Sequence, residues 1–75
     1  MNIEIYTRLN CIWCDRAKEL LKSLNLYYVE HDLSDDVKRN NFYLSIGENV
    51  KTVPQIFIDG VRIGGFQELK LYLNE

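Results

Sequence analysis

The residues best suited to chemistry are two cysteines, Cys11 and Cys14, within Leu9-Asn10-Cys11-Ile12-Trp13-Cys14-Asp15-Arg16; they are the only cysteines in the chain. A close thiol pair can staple a fold, supply half a metal site, carry a redox centre or simply fill a core. Closing so short a loop restricts the unfolded chain little, which weakens the staple. A structural zinc site takes four ligands, and His31 is the only histidine, so a self-contained zinc site is not expected. A zinc or iron–sulfur centre remains open only as one shared between two chains. The redox reading needs a thiolate, the species that attacks a disulfide, and therefore a setting that stabilises negative charge on sulfur.

The elements around the pair supply that setting. Residues 2–6 alternate, with Ile3 and Ile5 apolar before Tyr6, and are expected to form a first strand. From Cys11 the period changes: Ala17, Leu20, Leu21 and Leu24 recur at helical spacing, which predicts a helix over about 12–24 stopped at Asn25. The cysteines then sit at the opening of that helix, facing unpaired backbone amides and the positive end of its dipole. Cys11 lies nearer the start and is expected to be the more exposed thiol, the one that attacks. Cys14, one turn on, is placed to resolve the mixed disulfide. Arg8 and Arg16 are close enough in sequence to add positive potential, and Asp15 to oppose it. A strand, then CxxC, then a helix reads as a redox motif.

Farther along, residues 26–31 read as a second strand, and Ser34 or Asp35 as the cap of a helix running to Ile46, with Gly47 at its exit. Residues 55–58 form a third strand, Asp59-Gly60 a hairpin turn, and Val61-Arg62-Ile63 the returning strand. Gly64-Gly65 breaks it, and Phe66, Leu69 and Leu73 mark a closing helix. A right-handed crossover makes the first two strands parallel, and the hairpin completes a mixed sheet of four strands with helices against it, an α/β layer structure. Thr52-Val53-Pro54 holds the only proline. Either a cis bond there turns the Val53 backbone toward Cys11, where a peptide-like thiol can pair with it as an added strand would, or a trans proline merely begins the strand.

Composition narrows the classes. The 75 residues are 47% hydrophobic and 27% charged, with a net charge of −2, which fits one small globular domain over 1–75 and argues against disorder. No basic stripe suggests nucleic acid, and the five tyrosines read as packing rather than a stacking platform for bases. No signal peptide or membrane span is expected, which places the chain in a reducing cytoplasm, where structural disulfides are rare. His31 reads as a surface or edge residue, Lys18, Glu19 and Lys22 as a solvated helix face, and Phe42, Ile56, Phe57 and Ile58 as core.

TRLNCIWC, TVPQIFIDG and IGG, in that order and spacing, resemble the glutaredoxins of the thioredoxin superfamily over essentially the whole chain. The length and the non-proline active site are similar to the short dithiol glutaredoxins of bacteria and their phages. The resemblance implies a thioredoxin fold: a four-stranded mixed sheet flanked by three helices. It implies Cys11 as nucleophile, Cys14 as resolving thiol, and glutathione as reductant and co-substrate. It further implies a glutathione site in which Arg8 stands at the usual lysine, Trp13 at the usual tyrosine, and Thr52, Val53 and Pro54 form a cis-proline loop. Gly64 and Gly65 match the diglycine, Phe66, Gln67 and Glu68 the helix start that receives the γ-glutamyl carboxylate, and Lys51 is a further candidate for the glycine carboxylate. No metal is expected.

Three departures stand out. Ile12 replaces a common proline and adds an N–H near the Cys11 sulfur. Gln67-Glu68 replaces a frequent Asp-Asp, with Glu68 the longer substitute for the group that meets the γ-glutamyl amine. The C-terminal extension is short or absent.

The function implied is reduction of protein disulfides, ribonucleotide reductase among them, and of glutathione mixed disulfides, by a monomer without nucleic-acid or membrane partners. Two alternatives keep parts of this reading. One is a redoxin reduced by thioredoxin reductase, to which the Gly65-Phe66 step has a faint likeness. The other is a dimer binding an iron–sulfur cluster through Cys11 and glutathione, against which Cys14 argues.

Overall fold

Alternation decides the architecture. In β1 (Ile3–Thr7), Ile3, Ile5 and Thr7 are buried, while Glu4 and Tyr6 face the other way and are half-buried. The computed structural model describes residues 1–47 and 49–75, with α1 (Ile12–Ser23), β2 (Val29–Asp32), α2 (Asp36–Ile46), β3 (Gln55–Ile58), β4 (Val61–Gly64) and α3 (Phe66–Leu73) following in turn. The sheet order is β2-β1-β3-β4. β1 runs parallel to β2, with Glu4 opposite Val29 and Thr7 opposite Asp32, and antiparallel to β3, with Ile3 opposite Ile58 and Tyr6 opposite Gln55. β3 and β4 are antiparallel, with a register irregularity between Ile56 and Phe57. Asp59 and Gly60 join them with φ of 52° and 82°, two left-handed residues as a type I′ turn demands.

The two sheet faces are packed differently. On one, Ile3, Ile5, Ile56 and Ile58 meet Ala17 and Leu21 of α1 and Leu69 of α3 in the apolar core. On the other, Tyr6 stacks on Phe42 of α2 at 4.2 Å and on His31 at 4.4 Å, with Phe57 edge-on at 5.5 Å. Phe42 and Phe57 are therefore half-buried members of an aromatic layer, not parts of the aliphatic core as expected. His31 lies on the edge strand β2 and shares a 2.9 Å hydrogen bond with Glu4.

Some expected boundaries move for local reasons. β2 begins at Val29 rather than at residue 26 because the end of α1 uses the intervening residues. Asn25 adopts φ 56°, its N–H donates to the Lys22 carbonyl at 3.0 Å, and the Leu26 N–H donates to the Leu21 carbonyl at 3.0 Å. Asp35, not Ser34, caps α2 by accepting the Lys38 N–H at 2.9 Å. The Ser34 hydroxyl instead accepts the Leu9 N–H at 2.9 Å, fixing the loop that leads to Cys11. Gly47 ends α2 in extended backbone, φ 160°, so no left-handed turn is needed there. Among the described residues, no helix is long and apolar enough to cross a membrane.

Candidate active site

The chain leaves β1 at Thr7 and reaches α1 through Asn10, whose φ of 57° is one that asparagine tolerates better than most residues. Cys11 then caps α1 in extended backbone, and its Sγ accepts the Cys14 N–H at 3.1 Å. The amide that meets this sulfur belongs to Cys14, not to Ile12, although the missing proline pointed to the latter. Cys11 is half-buried, Cys14 fully buried, and the two are joined in a disulfide.

The Val53–Pro54 bond is cis, and the Cys11 Sγ lies 3.7 Å from the Val53 carbonyl oxygen. Gln55 buttresses this loop. Its buried side chain donates to the Thr52 carbonyl at 3.0 Å and to the Thr52 hydroxyl at 3.3 Å, and it accepts from Arg62 at 3.2 Å. Sequence reasoning placed Gln55 in a strand without a task. The available signal was one polar side chain opening an otherwise apolar four-residue strand.

Two recesses, of about 380 and 310 Å³, share Trp13, Thr52 and Val53 and so form one furrow, with Cys11 lining the first. One end adds Arg8, Tyr43 and Lys51, and the other adds Pro54, Gly65, Phe66, Gln67 and Glu68. Nearly all the expected ligand residues thus come together, drawn from three distant segments. Gly64 does not: it is buried behind the furrow, and its φ of 127° serves the turn out of β4. Tyr43 was read only as part of the apolar pattern of α2, yet it helps wall the Cys11 end.

Charge is distributed unevenly. Arg8 and Lys51 line the Cys11 end of the furrow. Arg16 instead lies over the Trp13 ring at 5.3 Å, holding the indole beside Phe66 at 5.7 Å. Asp15 is within 3.8 Å of Lys18, which also meets Glu30 at 3.0 Å. Lys18 is accordingly tied across to β2, not free on a solvated face. The buried Thr7 hydroxyl donates to Glu30 at 2.7 Å. This bond, followed by the Lys18 ammonium, holds the Glu30 carboxyl below the usual carboxylate range, while the Glu30 hydrogen bond raises the Lys18 ammonium. Among the described residues, no group of three or more His, Cys, Asp and Glu side chains is arranged to hold a metal ion.

At the far end, Glu68 turns back and accepts the Gly65 N–H at 2.7 Å. This is the glutamate half of a capping box, the serine half being impossible at a glycine.

The glutaredoxin family model matches residues 3–63. Glutaredoxin 3 of Escherichia coli K12 is 42% identical over 69 residues, spanning 91% of this chain and 81% of that protein. A glutaredoxin-like 8.6 kDa protein in the rubredoxin operon of Clostridium pasteurianum is 38% identical over 69 residues, spanning 92% of this chain and 91% of its own. The crystal structure of glutaredoxin 1 from Francisella tularensis superposes with a TM-score of 0.89 at 37% identity, covering 99% of this chain and 98% of that one. The three helices and mixed four-stranded sheet are thus a thioredoxin fold, and family membership implies thiol–disulfide oxidoreductase chemistry. With its CxxC pair at the start of α1 and a cis-proline loop against it, this chain belongs to the glutaredoxin family.

Proposed function

We propose that the chain is a glutathione-dependent dithiol oxidoreductase acting as one domain on protein disulfides, ribonucleotide reductase among them, and on glutathione mixed disulfides in the cytoplasm. The observation that carries this reading is the position of the Cys11 sulfur: half-exposed in a furrow, against the Val53 backbone and under the Cys14 amide. That amide stabilises negative charge on the sulfur, as do the helix start and the cations Arg8 and Lys51.

In the reduced protein the Cys11 thiolate attacks one sulfur of a substrate disulfide. A mixed disulfide forms and the other sulfur leaves as a thiolate that takes up a proton. The Cys14 thiol gives up its proton and attacks Cys11 Sγ, expelling the second substrate thiol and leaving the intramolecular disulfide seen here. One glutathione thiolate then opens that disulfide at Cys11. A second attacks the glutathionyl sulfur, releasing oxidised glutathione and restoring both thiols.

The furrow suits a tripeptide linked at Cys11. Val53 offers backbone to its cysteinyl part, Arg8 and Lys51 a cationic end for its glycine carboxylate, and the start of α3 a place for its γ-glutamyl end, with Trp13 and Phe66 as apolar walls. The test is reduction of a glutathione mixed disulfide coupled to glutathione reductase and NADPH. Turnover is expected to vanish in Cys11→Ser and to persist in part in Cys14→Ser. An inactive wild type that recovers with thioredoxin reductase would overturn the glutathione reading and leave the oxidoreductase one.

A further inference from the structure

We propose that a recess beside the C-terminal half of α2 docks protein substrates: it takes the stretch of polypeptide that follows the substrate's reactive cysteine, an acidic residue first and an apolar one after it. The proposal rests on the glutathione reading above for the direction in which a chain linked to Cys11 lies.

The recess, of about 480 Å³, is lined by Asn40, Tyr43, Leu44, Gly47, Val50 and Lys51. Its first four residues are spaced i, i+3, i+4 and i+7, one stripe of a helix. Phe42, which stacks on Tyr6 of the sheet, is not in that stripe. Leu44 is 80% exposed, so the fold itself makes little use of it. Tyr43 and Lys51 also line the Cys11 end of the furrow, which makes the recess its continuation.

Direction selects the occupant. The cations Arg8 and Lys51 draw the glycine carboxylate of glutathione to this end. Backbone pairing agrees, because a chain antiparallel to residues 51–54 runs toward Lys51 as it leaves its cysteine. Glutathione stops there, and a protein does not: its next residues meet the α2 recess. The carboxylate that glutathione carries at that point is a peptide bond in a protein, so an acidic side chain just after the cysteine takes its place beside Arg8 and Lys51. An apolar side chain beyond it covers Leu44 and Tyr43.

The test is an exchange equilibrium at Cys11 in the Cys14→Ser chain. A peptide thiolate attacks the Cys11 sulfur of the glutathionylated protein. The Cys11–peptide disulfide forms, and glutathione leaves as a thiolate that takes up the proton the peptide thiol gave up. Two peptides of one composition are compared, acetyl-Gly-Cys-Glu-Leu-Leu-amide and acetyl-Leu-Leu-Glu-Cys-Gly-amide. Leu44→Ala changes no peptide thiol and puts a strong helix former at an exposed helical position, so its effect reads the recess. It is expected to lower the exchange constant of the first peptide about three- to tenfold, the share of a partly buried leucine, and to leave that of the second within about twofold. Glutamine for the peptide's glutamate is expected to lower the first constant about twofold, and no change overturns the acidic half of the proposal.

A Leu44→Ala effect that is absent, equal on the two peptides or larger on the second overturns the docking site. So does a wild-type dimer that Leu44→Ala dissociates, which gives the recess to a second copy of the chain. Failure of the glutathione reading shows differently, as a wild type that does not turn over a glutathione mixed disulfide. The exchange is then run against 2-mercaptoethanol at Cys11, and the same contrast between the two peptides decides.

Discussion

The two faces of the sheet use their residues to different ends. Under α1 and α3 the contact is aliphatic and closed: Ile5, Ala17, Leu21, Ile56 and Leu69 have no exposed surface. Under α2 it is aromatic and open. Tyr6, Phe42, Phe57 and His31 stack while staying partly wet, and α2 buries none of its residues. The first face carries stability and fixes the start of α1, and with it Cys11. The second holds an element whose Tyr43 walls the furrow. A domain this small thus concentrates its packing on one side and leaves the other adaptable beside its reactive sulfur.

The contrast can be broken by substitution. Ile56→Ala empties a closed site and is expected to cost about 2–5 kcal/mol in denaturant unfolding. Phe42→Ala removes a half-buried stacked ring and is expected to cost about 1–2 kcal/mol. Equal losses at the two positions would erase the distinction between the faces. Gln55→Ala leaves both faces intact and unties Thr52. Losing about 1 kcal/mol there is expected to lower kcat/KM about fivefold and, because the side chain is buried, to lower the melting temperature by about 4–8 °C.

The smallest effect is one of pH. The Thr7 hydroxyl and Lys18 hold the Glu30 carboxyl below its ordinary value of 4.5, so folding gains from the ionised form above that value. The gain drains away as the pH falls from there through the depressed folded value. Glu30→Gln is expected to flatten this acid limb of the stability curve by giving up the gain at neutral pH while leaving acid stability unchanged, the loss being small because Glu30 is partly exposed.

Much of this was legible in the sequence where one local rule sufficed. Period-two alternation gave β1, a helical period gave α1, and Asp59-Gly60 gave a turn whose two residues indeed take positive φ. The lone proline and sequence proximity hinted at Val53 and Arg8, whereas Lys51 and Gln67 were legible only through the family's motifs, because no local pattern brings them to the furrow. What stayed hidden depends on competition between partners. Lys18 had the look of a solvated lysine until Glu30 arrived from β2, and Leu26 that of a strand residue until its amide was taken by Leu21. The Gly65 amide that Glu68 accepts was announced by no motif, because glycine is not the usual opening of a capping box.

Because β1 is central, paired to β2 on one side and to β3 on the other, its two neighbours arrive at different times. During synthesis the chain emerges from its N-terminus. The segment β1-α1-β2 delivers both cysteines early, whereas Val53, the diglycine and α3 come last. A nascent chain therefore presents its thiols before the furrow beside them exists. For that interval the pair is open on every side, and it acquires its walls only when β3 docks.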